Sequence, residues 1–239
     1  MTAMVFSGPT LAGDSFPVGY RFHWLPPARE GDIYRAVLSG ARAVGLIDGC
    51  FENAPSVWHK EILWALSRGV PVFGAASMGA LRAAELADFG MVGVGVIYRA
   101  YRSGRIEDDD EVAVLHAPGE LGFRPLTDAM VDIRATLEKA KRHGIASVRT
   151  AHSLEKIGKA LFFKDRAWPT ILDQGVKLGL PRSQLAELAK WLPANKVSQK
   201  QRDALAMLRA MSKPRPALKP NFRFQPTEFW RALVVRRGR

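Results

Sequence analysis

Over the first 120 residues the hydrophobic and polar positions alternate between short apolar runs and helical periods. Residues 3–8 are mostly apolar and end in Gly8-Pro9-Thr10, the pattern of a strand running into a turn. Residues 21–25 read as a short second strand stopped by Pro26-Pro27, and residues 32–39 as a helix. Ala43-Val44-Gly45-Leu46-Ile47 is a buried strand ending in Asp48-Gly49. Pro55-Ser56 caps an amphipathic helix that runs through Arg68, with Gly69 as its stop. Residues 70–73 form another strand, the residues after Ser77 another helix, and residues 111–115 one more strand ending at His116-Ala117-Pro118. Strands alternating with helices predict an α/β fold, a Rossmann-like and mainly parallel sheet with covering helices.

From Asp128 the period turns helical. Residues 128–143, 152–163, 168–178, 181–191 and 198–211 each predict a helix. Residues 213–220, Lys-Pro-Arg-Pro-Ala-Leu-Lys-Pro, predict an extended basic linker. The final residues, 221–239, mix Phe222, Phe224, Phe229 and Trp230 with five arginines.

Charge sharpens this division. The 239-residue chain carries a net charge of +12. Residues 1–120 hold 10 Lys+Arg against 14 Asp+Glu, whereas residues 121–239 hold 25 against 9, a net of +16. A basic second half wants an acidic surface, whether nucleic acid, an acidic protein or a nucleotide-using enzyme. The single cysteine, Cys50, excludes an internal disulfide framework and a multi-cysteine metal site. The first residues lack a basic segment followed by a long apolar run, and no apolar stretch approaches membrane-spanning length. A cytoplasmic protein without membrane contact is expected.

In an open α/β sheet, ligands sit outside the carboxyl ends of the strands. Those ends carry Thr10, Asp48, Ser77 and His116. The turn Gly74-Ala75-Ala76-Ser77-Met78-Gly79 has little side chain around its serine. Such a turn lifts a hydroxyl from the backbone and aims the free N–H groups of the next helix beside it, as in Gly-x-Ser-x-Gly nucleophile elbows. Ala75 stands where that spelling has its first glycine, and a serine capping a helix reads equally well.

His59, in the first turn of its helix, is a candidate base that the helix dipole keeps neutral. Asp48 is a candidate orienting carboxylate or a turn-stabilising residue. The run Asp108-Asp109-Asp110-Glu111 reads first as a solvated loop, with Asp109 and Asp110 as candidate binding residues. Gly8, Thr10, Gly49, Lys60, Glu61, Met78, Gly79 and Arg82 complete the candidate binding set. Gly8-Pro9-Thr10 lacks the spacing of a Walker loop or a dinucleotide fingerprint.

Several strings together resemble the TfuA-like family: Gly45-Leu46-Ile47-Asp48-Gly49, Ser56-Val57-Trp58-His59-Lys60-Glu61-Ile62, residues 74–85, Asp108-Asp109-Asp110-Glu111-Val112-Ala113-Val114, and Met130-Val131-Asp132-Ile133-Arg134. The resemblance runs in order over about residues 3–140 and delimits an α/β core over residues 1–143, followed by a basic, mainly helical region over residues 144–239. It implies a partner of a YcaO enzyme, which activates a backbone amide oxygen with ATP so that sulfur can replace it. The substrate would be a ribosomally made precursor peptide or a protein. ATP and Mg are used by the YcaO enzyme, and no cofactor is expected on this chain. The resemblance also implies delivery or release of sulfur, for which a thiocarboxylated sulfur-carrier protein is a candidate donor. Ser77 would attack that acyl-sulfur group, with His59 or His116 as base and Asp48 orienting it.

Two other readings remain open on the residues. One is a freestanding serine hydrolase or amidase using Ser77. The other is a basic nucleic-acid-binding protein, suggested by the arginines and aromatics of the tail.

Overall fold

The computed structural model describes residues 2–13, 17, 19–50, 54–213 and 220–237. The chain packs as two compact units, one of Met1–Glu107 with Gln201–Arg239 and one of Asp108–Lys200. No helix among the described residues is long and apolar enough to cross a membrane.

The first unit is built on five parallel strands, β1 (Met4–Phe6), β2 (His23–Leu25), β3 (Val44–Leu46), β4 (Val72–Gly74) and β5 (Val92–Gly93), in the order β2-β1-β3-β4-β5. Alternation along each strand sorts its residues between two faces. Met4, Phe6, Val44, Leu46 and Val72 join the core formed with α1 (Asp32–Leu38), α2 (His59–Ser67) and α3 (Met78–Leu86), through residues such as Ile33, Ile62 and Ala83. Val5 and Phe73 join a second core with Ala204, Met207 and Leu208 of α9 (Gln199–Met211). Only a 3-10 turn, Pro9–Leu11, lies between β1 and β2 among the described residues. A helix from far along the chain therefore covers the face that a crossover helix would otherwise protect. Gly45 permits the contact: a Cβ there would lie 2.7 Å from Met211 Sδ. Asp203, on the same helix, accepts from Ile97 N at 2.7 Å and so caps α4 (Val96–Arg102).

The second unit packs α5 (Met130–Arg142), α6 (Val148–Ala160), α7 (Trp168–Lys177) and α8 (Arg182–Asn195) around Ile133, Leu137, Leu154, Trp168, Ile171 and Leu188. These helices, with α9, match the expected ones in number and order, α6 beginning four residues earlier and α8 ending four residues later than the apolar period suggests.

Three expectations need correction. Residues 111–115 form no strand: Asp109–Glu111 is a 3-10 turn, and the fifth strand is Val92–Gly93. The apolar run there reflects burial of Val112 and Ala113 beside Glu111, which says nothing about a ladder partner. The acidic run is a solvated loop only in its first half, where Asp108 and Asp109 are exposed. Glu111 is buried and chelated by Arg134 at 2.9 and 3.0 Å, and Asp110 pairs with Lys159 and with Arg166 at 2.5 Å. Arg166 is fully buried and also donates to the carbonyls of Gly158, Asp110 and Leu161. Finally, α2 begins at His59 rather than after Pro55, because Glu61 Oε1 accepts from Trp58 N at 3.1 Å and supplies the cap.

Of the linker over residues 213–220, only Lys213 and Pro220 lie within the described residues. Beyond it, α10 (Glu228–Arg237) buries Trp230 and Leu233 with Tyr34 in an aromatic cluster that includes Trp64 and Phe224.

Candidate functional site

The strand order reverses between β1 and β3, and the crevice of such a sheet opens there, at the carboxyl edge. Three turns reach that edge: Gly8-Pro9-Thr10 after β1, Asp48-Gly49 after β3, and Ala75 to Gly79 after β4.

Asp48 is 1% exposed and organises the first turn. Its Oδ2 accepts from Gly8 N at 2.8 Å and from Thr10 N at 3.0 Å, and its Oδ1 accepts from Thr10 Oγ1 at 2.6 Å. A carboxylate thus fills the place where backbone donors would otherwise hold a ligand anion. No imidazole is among its partners in the described residues.

Ser77 sits at the N-cap of α3 and is 3% exposed. Its N–H donates to Ala75 O at 2.8 Å, closing a tight turn over Ala76. Ala76 has φ of +68°, a conformation that costs a non-glycine residue about 1 kcal/mol. The turn has no room to relax. A Cβ on Gly79 would lie 1.7 Å from Leu46 O, and one on Gly74 would lie 2.1 Å from Gly79 O. The start of α3 therefore rests directly on β3 and β4, and Gly79 N donates to Ile47 O at 3.2 Å. The Ser77 side chain makes no capping bond, and neither its hydroxyl nor the N–H of Met78 has a hydrogen-bond partner among the described residues. Strain, a hydroxyl without a hydrogen-bond partner and a free N–H on the next residue coincide in one turn. Nearby on the same edge, Ser7 Oγ is the one side-chain polar atom among the described residues that is buried without a partner.

His59 stands apart. Its Nε2 lies 2.8 Å from Glu85 Oε2, which also accepts from Arg82 Nη1 at 2.7 Å, while Arg82 Nε donates to Val57 O at 3.0 Å. Burial pushes the Glu85 carboxyl up, but the hydrogen bonds from His59 and Arg82 outweigh it and hold the group below its ordinary value. Glu85 is eight residues beyond Ser77, about 12 Å along α3 at the helical rise. Lys60 Nζ donates to Gln225 O at 2.8 Å and lies over the Phe224 ring. Glu61 is fully buried and accepts from Ile33 N at 3.2 Å, Tyr34 N at 3.4 Å and Trp58 N, so one carboxylate caps both α1 and α2. Burial raises it to about 7, against the pull of those backbone donors.

Gly8, Thr10, Asp48, Gly49, Ser77, Met78 and Gly79 thus share one edge. His59, Lys60, Glu61 and Arg82 belong to the α1–α3 face and the tail that crosses it. His116, Asp109 and Asp110 belong to the second unit, where His116 Nδ1 lies 2.8 Å from Ala117 O. Cys50 Sγ lies 3.9 Å from Pro27 O. No group of His, Cys, Asp and Glu suited to a metal occurs among the described residues.

The TfuA-like protein family model matches residues 48–167, half of the chain. The chain belongs to the TfuA-like family. The match begins at Asp48, contains the Ser77 turn and the His59–Glu85 pair, and ends just past Arg166. No curated protein matches this TfuA-like chain. Sequence reasoning passed over Ala76, Glu85 and Arg166. A positive φ on an alanine leaves no mark in composition, and Glu85 gains its meaning only from a histidine 26 residues earlier.

Proposed function

We propose that this TfuA-like protein partners a YcaO enzyme in ATP-dependent backbone thioamidation and that Ser77 releases the sulfur. Family membership supports the partnership; the unpartnered Ser77 hydroxyl beside the free Met78 N–H supports the role of the serine. In this reading ATP and magnesium belong to the YcaO enzyme.

The donor is a sulfur carrier ending in a thiocarboxylate. The N-terminus of α3 favours an anionic group there. Ser77 Oγ attacks the acyl carbon, and the Met78 N–H, on the residue after the nucleophile, stabilises the tetrahedral oxyanion. The C–S bond breaks and the hydroxyl proton leaves with the sulfur as HS⁻, so this step needs no neighbouring histidine. Water then hydrolyses the ester, giving the carrier carboxylate, a proton and free Ser77. Asp48 and Thr10 act by holding the adjoining turn in place.

The test is reconstitution with the YcaO enzyme, ATP, substrate peptide and thiocarboxylated carrier, followed by mass spectrometry and sulfide detection. Ser77→Ala should fold normally, release little sulfide and give little thioamide, while inorganic sulfide restores the product. Undiminished release by Ser77→Ala would reduce Ser77 to a structural residue of the turn. Hydrolysis of simple activated esters at full rate, with no effect on the YcaO enzyme, would favour a freestanding hydrolase.

A further inference from the structure

Helix α10 is apolar on two sides. Trp230 and Leu233 are buried with Tyr34 and Trp64, whereas Phe229 is 78% and Val235 64% exposed, with exposed Ala232 between them. Exposed apolar residues gathered on one face and rimmed by charge mark an interaction surface. Residues 229, 232 and 235 follow at intervals of three and form one outward ridge. The inner face holds that ridge in place. Lys60 grips the carbonyl of Gln225, Asn221 Nδ2 donates to Asp88 O at 3.2 Å, and Arg236 reaches Glu30 at 3.4 Å. A ridge already ordered loses little freedom when a partner covers it.

Charge identifies what covers it. Residues 201–239 hold 10 Lys+Arg against 2 Asp+Glu. Arg223 and Arg231 are exposed and make no ion pair among the described residues. Aromatic and arginine side chains around an apolar centre are the composition of a protein interface. Three outward apolar residues, one of them alanine, are too few to seat a helix in a bilayer.

We infer that the outer face of α10, Phe229, Ala232 and Val235 with Arg223 and Arg231, docks into an acidic-rimmed apolar groove on the YcaO enzyme. The inference rests on the proposed partnership. It is tested by calorimetry of the full-length chain against the YcaO enzyme at low and physiological salt. Two double variants are used, Phe229→Asp with Val235→Asp, and Arg223→Glu with Arg231→Glu, each checked by circular dichroism. The second pair is exposed and makes no side-chain hydrogen bond or ion pair among the described residues, so it keeps the test valid if the first misfolds. Each should weaken binding at least tenfold, and the arginine pair should also flatten the salt dependence. Ser77-dependent hydrolysis by the chain alone should not change. Tight binding by the wild type that neither variant disturbs overturns the docking surface and leaves the partnership standing. No binding by the wild type overturns the partnership, and this surface with it. Tighter binding to phosphatidylglycerol–phosphatidylcholine vesicles or to random duplex DNA at physiological salt, lost in both variants, overturns the assignment in favour of that ligand.

Discussion

Thr10 and Asp48 meet through two hydrogen bonds, hydroxyl to Oδ1 at 2.6 Å and backbone N–H to Oδ2 at 3.0 Å. With Gly8 N the carboxylate takes three donors from the turn after β1. Asp48 therefore acts on the site through the backbone of a neighbouring turn.

That role separates two substitutions. Asp48→Ala leaves three donors unmet in a buried place and should cost at least about 4 kcal/mol, since hydrogen bonds to charged groups contribute roughly 1.5–3 kcal/mol each. Asp48→Asn keeps one carbonyl oxygen for the two N–H groups, and the Thr10 hydroxyl can turn to accept from the amide. It should cost about 1 kcal/mol and retain most sulfide release. Denaturant melts paired with sulfide assays check this; inactivity in a stable Asp48→Asn would return Asp48 to direct chemistry.

The Ser77 turn predicts opposite signs for two small substitutions. Ala76→Gly removes the positive-φ penalty, offset in part by greater freedom of the unfolded chain, and should stabilise by up to about 1 kcal/mol. Gly79→Ala forces a methyl to within 1.7 Å of Leu46 O and should destabilise by about 3 kcal/mol or more. Thermal melts of both variants give the comparison. Equal melting temperatures would mean that the turn carries no strain.

Glu61 gives a pH dependence with a definite sign. Its carboxyl rises from 4.5 to about 7 on folding, chiefly through burial. Between those values the folded chain holds a proton that the unfolded chain has lost. Its contribution is complete below pH 4.5 and fades as pH climbs through 7, about 3 kcal/mol in all. Asp132 behaves alike in the second unit, raised from 3.8 to about 6. Denaturant titrations from pH 4 to 8 should show a flatter profile for Glu61→Gln than for the wild type. Parallel profiles would show that the backbone donors, not burial, govern this carboxyl.

The strands at residues 43–47 and 70–73 and the helices α5 to α9 were legible because burial and period coincide there. The Ser77 turn was legible because its residues are small. Its strain was not, since +68° at Ala76 comes from α3 resting on β3, a contact between distant segments. The ion pairs of the acidic run escaped for the same reason: Arg134, Lys159 and Arg166 lie 23 or more residues from their partners, with no local signal. The tail was legible in composition alone. Aromatic residues among arginines suggest a free basic arm, yet Trp230 and Leu233 are core residues.

That burial makes truncation a poor probe of the tail and a point substitution a good one. Trp230 is 5% exposed, with ring centroids 5.4 Å from Tyr34, 5.6 Å from Trp64 and 5.2 Å from Phe224. Trp230→Ala should cost about 3 kcal/mol of local packing. It need not unfold the sheet, whose two cores contain none of these rings. The loss should appear as release of α10, raising its opened population about a hundredfold. Limited proteolysis should then cut within residues 220–237 much faster, while far-UV circular dichroism of the remainder holds. Deleting everything from Lys213 onward does more, because it uncovers Tyr34 and Trp64 and invites aggregation unrelated to docking. Unchanged protease resistance in Trp230→Ala would show that the contacts at Lys60, Asp88 and Glu30 suffice to hold the tail, and that the aromatic cluster is not what orders it.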